Sequence, residues 1–91
     1  SVMSVTVSFP ALFSERIGGV ESVEMEGDTV EAALRALTDH YTELGSLVWK
    51  SLNLNPVLVV FLNGCQLKNS ELGVKVRAGD EIMILSALEG G

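Results

Sequence analysis

Near the start of the chain Met3, Val5, Val7 and Phe9 are apolar, while Ser4, Thr6 and Ser8 between them are polar. Successive side chains of an extended strand point to opposite faces, so this period of two predicts a half-buried strand. Pro10 cannot donate to a ladder, and Glu15-Arg16-Ile17-Gly18-Gly19 supplies turn residues before alternation resumes with Val23 and Met25 against Glu24 and Glu26. A hairpin is expected to close there. Gly27-Asp28 then gives the clearest helix start in the sequence: Asp28 can cap while Glu31, three residues on, reaches back to the cap amide. From near Thr29 the period changes to that of a helix. Val30, Ala33, Leu34, Leu37 and Tyr41 fall on one face, Arg35, Asp39 and Glu43 on the other, and glycine at Leu44-Gly45 can close the element.

From Gly45 to Pro56 the pattern loses its regularity; Leu47, Val48, Trp49 and Leu52 point to no more than a short helical turn. The run Val57-Leu58-Val59-Val60-Phe61-Leu62 is apolar at every position, which predicts a strand in the middle of a covered sheet. Asn63-Gly64 signals a tight turn, followed by a short strand through Cys65 to Leu67. Ala78-Gly79-Asp80 marks another turn before a last strand from Glu81 to Leu88, with Ile82 and Ile84 on one face and Met83 and Leu85 on the other. The order ββαββ, its fourth strand short, predicts an α+β domain with a mixed sheet packed on one main helix. A single domain is expected over residues 1–91, with a flexible Gly-Gly tail at 89–91.

Composition narrows the function classes. With 47% hydrophobic and 20% charged residues among its 91, the chain can bury a core without disulfide or metal staples. Cys65 is its only cysteine, so no internal disulfide can form and a reducing, cytoplasmic setting is expected. The longest apolar run, Val57 to Leu62, falls far short of the roughly 20 residues that span a bilayer as a helix. No membrane association is expected, and Ser1-Val2-Met3-Ser4 has no basic flank or apolar stretch of a signal peptide. A net charge of −6 would repel nucleic acid and anionic lipid; it either steers a basic protein surface towards the chain or serves solubility.

Few residues invite chemistry on their own. Cys65 has no basic neighbour in sequence to activate it and reads as a small apolar residue rather than a nucleophile. His40, beside Asp39 near the helix end, suits the helix dipole, and without a second histidine no metal site is expected. Gly18-Gly19 lacks the Gly-Lys-Ser/Thr ending of a phosphate loop and reads as a turn. Trp49 is either a docking aromatic or core.

Taken in order, Val5-Thr6-Val7-Ser8-Phe9-Pro10, Gly27-Asp28-Thr29-Val30, Phe61-Leu62-Asn63-Gly64, Ala78-Gly79-Asp80-Glu81-Ile82 and Gly90-Gly91 resemble the ubiquitin-like β-grasp sulfur carriers. That family includes the small subunit of molybdopterin synthase, the thiamine-pathway carrier and the carrier that feeds a cysteine synthase. The resemblance implies a ubiquitin-like β-grasp fold and a non-enzymatic carrier that binds no cofactor itself. An E1-like adenylating enzyme would use ATP to activate the Gly91 carboxylate, and the resulting thiocarboxylate would pass sulfur to a biosynthetic enzyme. Phe61 and Leu85, beside the last strand, are the docking candidates the resemblance points to, although either could be core.

The tail itself has a physical reading. Glycine lacks a Cβ, so Gly90 and Gly91 can pass close to the walls of a narrow channel where any side chain would clash. Ser86-Ala87-Leu88-Glu89 departs from molybdopterin carriers, which tend to carry proline there. Glu89 would lie near ATP phosphates, weakening activation, pairing with a basic residue of a dedicated enzyme, or simply remaining solvated. The start of the chain resembles the cysteine-type carriers and their relatives in secondary metabolism most. A molybdopterin synthase small subunit is the second reading, and a ubiquitin-like protein modifier, from Leu88-x-Gly-Gly, the third.

Overall fold

The computed structural model describes residues 4–87. Strand β1 (Ser4–Ser8) pairs antiparallel with β2 (Ser22–Glu26), Ser4 opposite Glu26 and Ser8 opposite Ser22. Their alternation is the one the sequence predicts, with Val5 and Val7 fully buried. The connection holds more than a turn. Helix α1 (Ala11–Ser14) and a 3-10 turn (Glu15–Ile17) precede Gly18 and Gly19, both at positive φ. The Pro10 carbonyl accepts from the amides of Phe13 (2.9 Å) and Ser14 (3.1 Å), and buried Phe13 stacks on Phe9 with ring centroids 6.1 Å apart. Four residues are too few to display a helical period, which is why this element is invisible in the sequence pattern.

Helix α2 (Val30–His40) buries Val30, Ala33, Leu34 and Leu37, as its spacing predicts, and leaves Tyr41 half-buried just beyond its end. Its cap is Thr29, whose Oγ1 accepts from the Ala32 amide at 3.0 Å, and not Asp28. The shift has a cause: the Asp28 carbonyl accepts from Val76, which keeps the chain extended for one residue more. The next two amides, Val30 and Glu31, donate to the Val74 and Leu72 carbonyls, so a loop far along the chain completes the helix start. Gly27 is required here by size, since a Cβ on it would lie 2.7 Å from the Ala33 backbone nitrogen.

Gly45 does not close this helix. The helix ends at His40, a 3-10 turn covers Thr42–Leu44, and Gly45 has right-handed dihedrals that begin helix α3 (Gly45–Val48). A small antiparallel pair follows, β3 (Trp49–Lys50) with β4 (Asn53–Leu54), turning through Ser51 at φ 54°. Trp49 settles against α2. Its Nε1 donates to Thr38 Oγ1 at 3.0 Å, and the Arg35 guanidinium lies 3.5 Å over its ring. Arg35 also donates to the Leu52 carbonyl at 2.8 Å, so one side chain holds the first arm of the hairpin and its turn. Buried Asn55 links the hairpin to the next strand, donating to the Leu47 carbonyl and accepting from the Val57 amide.

Strands β5 (Leu58–Leu62), β6 (Cys65–Leu67) and β7 (Glu81–Ser86) complete a five-stranded sheet in the order β2-β1-β7-β5-β6. The β5–β6 turn uses Asn63 and Gly64, both at positive φ, the conformation an Asn-Gly hairpin requires. β7 lies in the middle, parallel to β1 and antiparallel to β5, which makes the sheet mixed. Its Ile82 and Ile84 are fully buried with Val5, Val7 and the α2 face. The expectation that β5 is covered on both faces is not met. Leu58 and Val60 are buried, whereas Val59 and Phe61 lie on a face that no element of the described chain covers.

Candidate functional site

The uncovered face is built by register. Val59 on β5 sits opposite Leu85 on β7, and Phe61 opposite Met83, so four apolar side chains from the two neighbouring strands share one patch. None of the four belongs to the core cluster, and Met83 is 44% exposed. Gln66 of β6, opposite Phe61, closes one side. With Val59, Phe61, Leu85, Ser86 and Ala87 it lines a shallow, mainly apolar depression of about 220 Å³.

Phe61 and Leu85, the two docking candidates from the sequence, are therefore brought together, half-buried, on the outer face. Val59, Met83, Gln66 and Ala87 are the neighbours that sequence reasoning missed. The available signal was the double alternation of Val57 to Leu62: one set of side chains fills the core, and the other needs a cover that the chain's few elements do not supply.

The depression lies where β7 runs out. The Ala87 amide still donates to the Val57 carbonyl at 2.8 Å, so the sheet holds the chain in line up to the rim. Leu88, Glu89, Gly90 and Gly91 lie outside the described residues. At the opposite end of β7 a polar clasp fixes its entry. Asn63 Nδ2 donates to Asp80 Oδ1 at 3.1 Å, Asn63 Oδ1 accepts from the Glu81 amide at 2.9 Å, and the Arg77 amide donates to Asp80 Oδ2 at 2.8 Å. The hydrogen bond from the Arg77 amide, helped by that from Asn63, holds the Asp80 carboxyl below its usual range.

Other candidates resolve differently. Cys65 is exposed on an edge strand, so its reading as a small apolar filler is corrected: Leu62, opposite it, faces the core from β5, while the β6 edge leaves the thiol in solvent. His40 is exposed at the α2 terminus, edge-on to the Tyr41 ring at 4.6 Å. Among the described residues no three of His, Cys, Asp or Glu gather into a group that could hold a metal ion, and no helix is long and apolar enough to cross a membrane.

A mixed five-stranded sheet wrapped over one main helix, with its C-terminal strand at the centre and an apolar outer face, defines a ubiquitin-like β-grasp domain. The model of the ThiS family matches residues 7–91, and the chain belongs to this family of β-grasp sulfur carriers. Solved structures agree. Small archaeal modifier protein 1 (SAMP1) from Methanosarcina acetivorans superposes with a TM-score of 0.85 over 100% of this chain and 99% of that one; at 24% identity this likeness speaks for the fold alone. A chain of the Amycolatopsis orientalis BexX/CysO complex is 30% identical, with a TM-score of 0.84 over 96% of this chain and 99% of its own length. SAMP1 from Haloferax volcanii is 29% identical, with a TM-score of 0.82 over 97% and 99%. No curated protein matches the sequence.

Proposed function

We propose that this protein is a sulfur carrier whose working group is the Gly91 carboxylate, presented on Gly90-Gly91 and preceded by Leu88-Glu89. A free carboxylate is a poor electrophile. An E1-like enzyme converts it into a good one by letting a carboxylate oxygen attack the α-phosphorus of ATP, which releases pyrophosphate and leaves an acyl-adenylate. Hydrosulfide or an equivalent sulfur nucleophile then attacks the acyl carbon, AMP departs, and a thiocarboxylate remains. That sulfur goes to a biosynthetic enzyme. The carrier contributes no catalytic group; its part is to be held while its end reaches the reacting atoms, in a site from which water is excluded.

The observation that carries this reading, beside membership of the family, is the apolar depression at the rim where β7 ends. A partner that grips Val59, Phe61 and Leu85 holds the body of the carrier within a few residues of the tail. The lone Cys65 and the lack of any disulfide framework fit work in the cytoplasm. The receiving pathway is proposed as cysteine or secondary-metabolite biosynthesis, since one of the similar chains comes from a BexX/CysO complex. A second reading, conjugation to lysines, is favoured by the similarity to the small archaeal modifier protein from Haloferax volcanii.

Intact-mass measurement separates the two. Incubated with its activating enzyme, ATP and sulfide, the carrier gains about 16 Da as one oxygen is replaced by sulfur, and the gain disappears when Gly90-Gly91 is deleted. Lysine-linked conjugates with no such gain would favour the modifier, and neither product would remove both readings.

A further inference from the structure

The apolar patch is only half of the outer face. Pairing across the sheet sets Glu24 of β2 opposite Thr6 of β1, and Thr6 opposite Glu81 of β7, so two carboxylates flank one threonine in a single row. Glu26 pairs with Ser4 in the adjoining row on the same face. All three glutamates are exposed. The remaining outer positions of β1 and β2 are Ser8 and Ser22, and the Ser4 hydroxyl donates to Glu24 Oε1 at 2.6 Å.

No Lys or Arg occurs anywhere in β1, β2, β5, β6 or β7. All six basic residues of the chain lie on helices, turns, the small hairpin and connections: Arg16, Arg35, Lys50, Lys68, Lys75 and Arg77. The carboxylates of the outer face therefore have no neutralising cation on their own strands. Glu24 and Glu26 on β2 are separated from the apolar strip by β1 alone, and Glu81 shares β7 with Met83 and Leu85, close enough for one protein to cover both.

We propose that the outer face is a bipartite docking surface for one class of partner: an activating enzyme that presents an apolar projection flanked by lysine or arginine. Val59, Phe61, Met83 and Leu85 supply the buried contact. Glu24, Glu26 and Glu81 supply the field that steers and orients the enzyme, because opposite charges at the rim of an interface act chiefly on the rate of encounter. This partner rests on the sulfur-carrier reading above. The uniform sign of the charge selects against nucleic acid and anionic lipid, and against a second copy of the same face.

The test uses the full chain and the source organism's carrier-adenylating enzyme, defined by ATP–pyrophosphate exchange that depends on the wild-type chain. Association rates are measured by stopped flow at about 50 mM and about 500 mM salt, where the screening length falls to a few ångströms. Three double variants are compared: E24K/E81K, E24Q/E81Q, and E15K/E43K as a control with the same change in net charge at exposed positions off this face. E24K/E81K should associate about tenfold more slowly at low salt and E24Q/E81Q by an intermediate amount; both should approach wild type at high salt, and E15K/E43K should stay within about twofold throughout. Equal slowing by the control, or wild-type rates for E24K/E81K and E24Q/E81Q, overturns the proposal while exchange by the wild-type chain leaves the carrier reading standing. Absence of exchange with the wild-type chain removes the carrier reading and this partner with it.

Discussion

Asp80 shows how much one half-buried side chain can organise. Its carboxylate accepts from the Arg77 amide and from Asn63, and Asn63 in turn holds the Glu81 amide, so side chains reinforce the backbone bond from the Asn63 amide to the Glu81 carbonyl that ties the turn after β5 to the entry of β7. The lowered pKa is the thermodynamic record of those bonds. A carboxyl whose native pKa lies below its unfolded value stabilises the fold fully above the unfolded value, here 3.8, and loses that contribution as pH falls through the native one. Asp80→Asn should therefore flatten the acid limb of the stability curve below about pH 4, measured as thermal midpoint against pH. An unchanged acid limb would show that the clasp does not operate in solution. Ala78-Gly79-Asp80 is legible in the sequence as a turn; the partnership with Asn63 is not, because it joins residues from two separate turns.

At the scale of elements, structure is legible in the sequence wherever a period has room to repeat. The α2 face and the alternation of β1, β2 and β7 are of this kind. Reading failed where an element is short and held by tertiary contacts. α1 has four residues, and β3 and β4 have two each. The stretch from Gly45 to Pro56 looks irregular because what orders it lies elsewhere in the chain: Arg35 and Thr38 on α2. Arg35→Ala removes a cation–π contact and a hydrogen bond to the Leu52 carbonyl, and should cost about 1–2 kcal/mol in urea unfolding. Because Trp49 is the only tryptophan, its fluorescence reports the hairpin directly. Its emission should become more accessible to acrylamide in this variant under native conditions, while far-UV circular dichroism stays unchanged.

Across the whole molecule, the two faces of the sheet serve different ends. The inner face closes the core on α2, and the outer face keeps apolar side chains in water beside a set of carboxylates. Exposed hydrophobic area of this kind contributes little to folding and is kept for a partner. Phe61→Ser should thus leave the free energy of unfolding within about 0.5 kcal/mol of wild type, yet slow adenylation of the chain by its activating enzyme by at least about tenfold. Loss of stability in place of adenylation would return Phe61 to the core. The candidate site was half legible. Phe61 and Leu85 could be named from the sequence, but their coincidence with Val59 and Met83 depends on β5 pairing with β7 across a gap in the chain that no local pattern spans.

The central place of β7 also sets an order of events at synthesis. The hairpin of β1 and β2 and that of β5 and β6 can each form as soon as their residues emerge from the ribosome, but they share no ladder with one another. Only β7, the last of the described strands in chain order, joins them. A nascent chain cut short before Glu81 would hold two unjoined hairpins with open edges. Closure of the sheet therefore waits on the segment Glu81–Ser86, and the two hairpins gain their shared core only once that segment has left the ribosome.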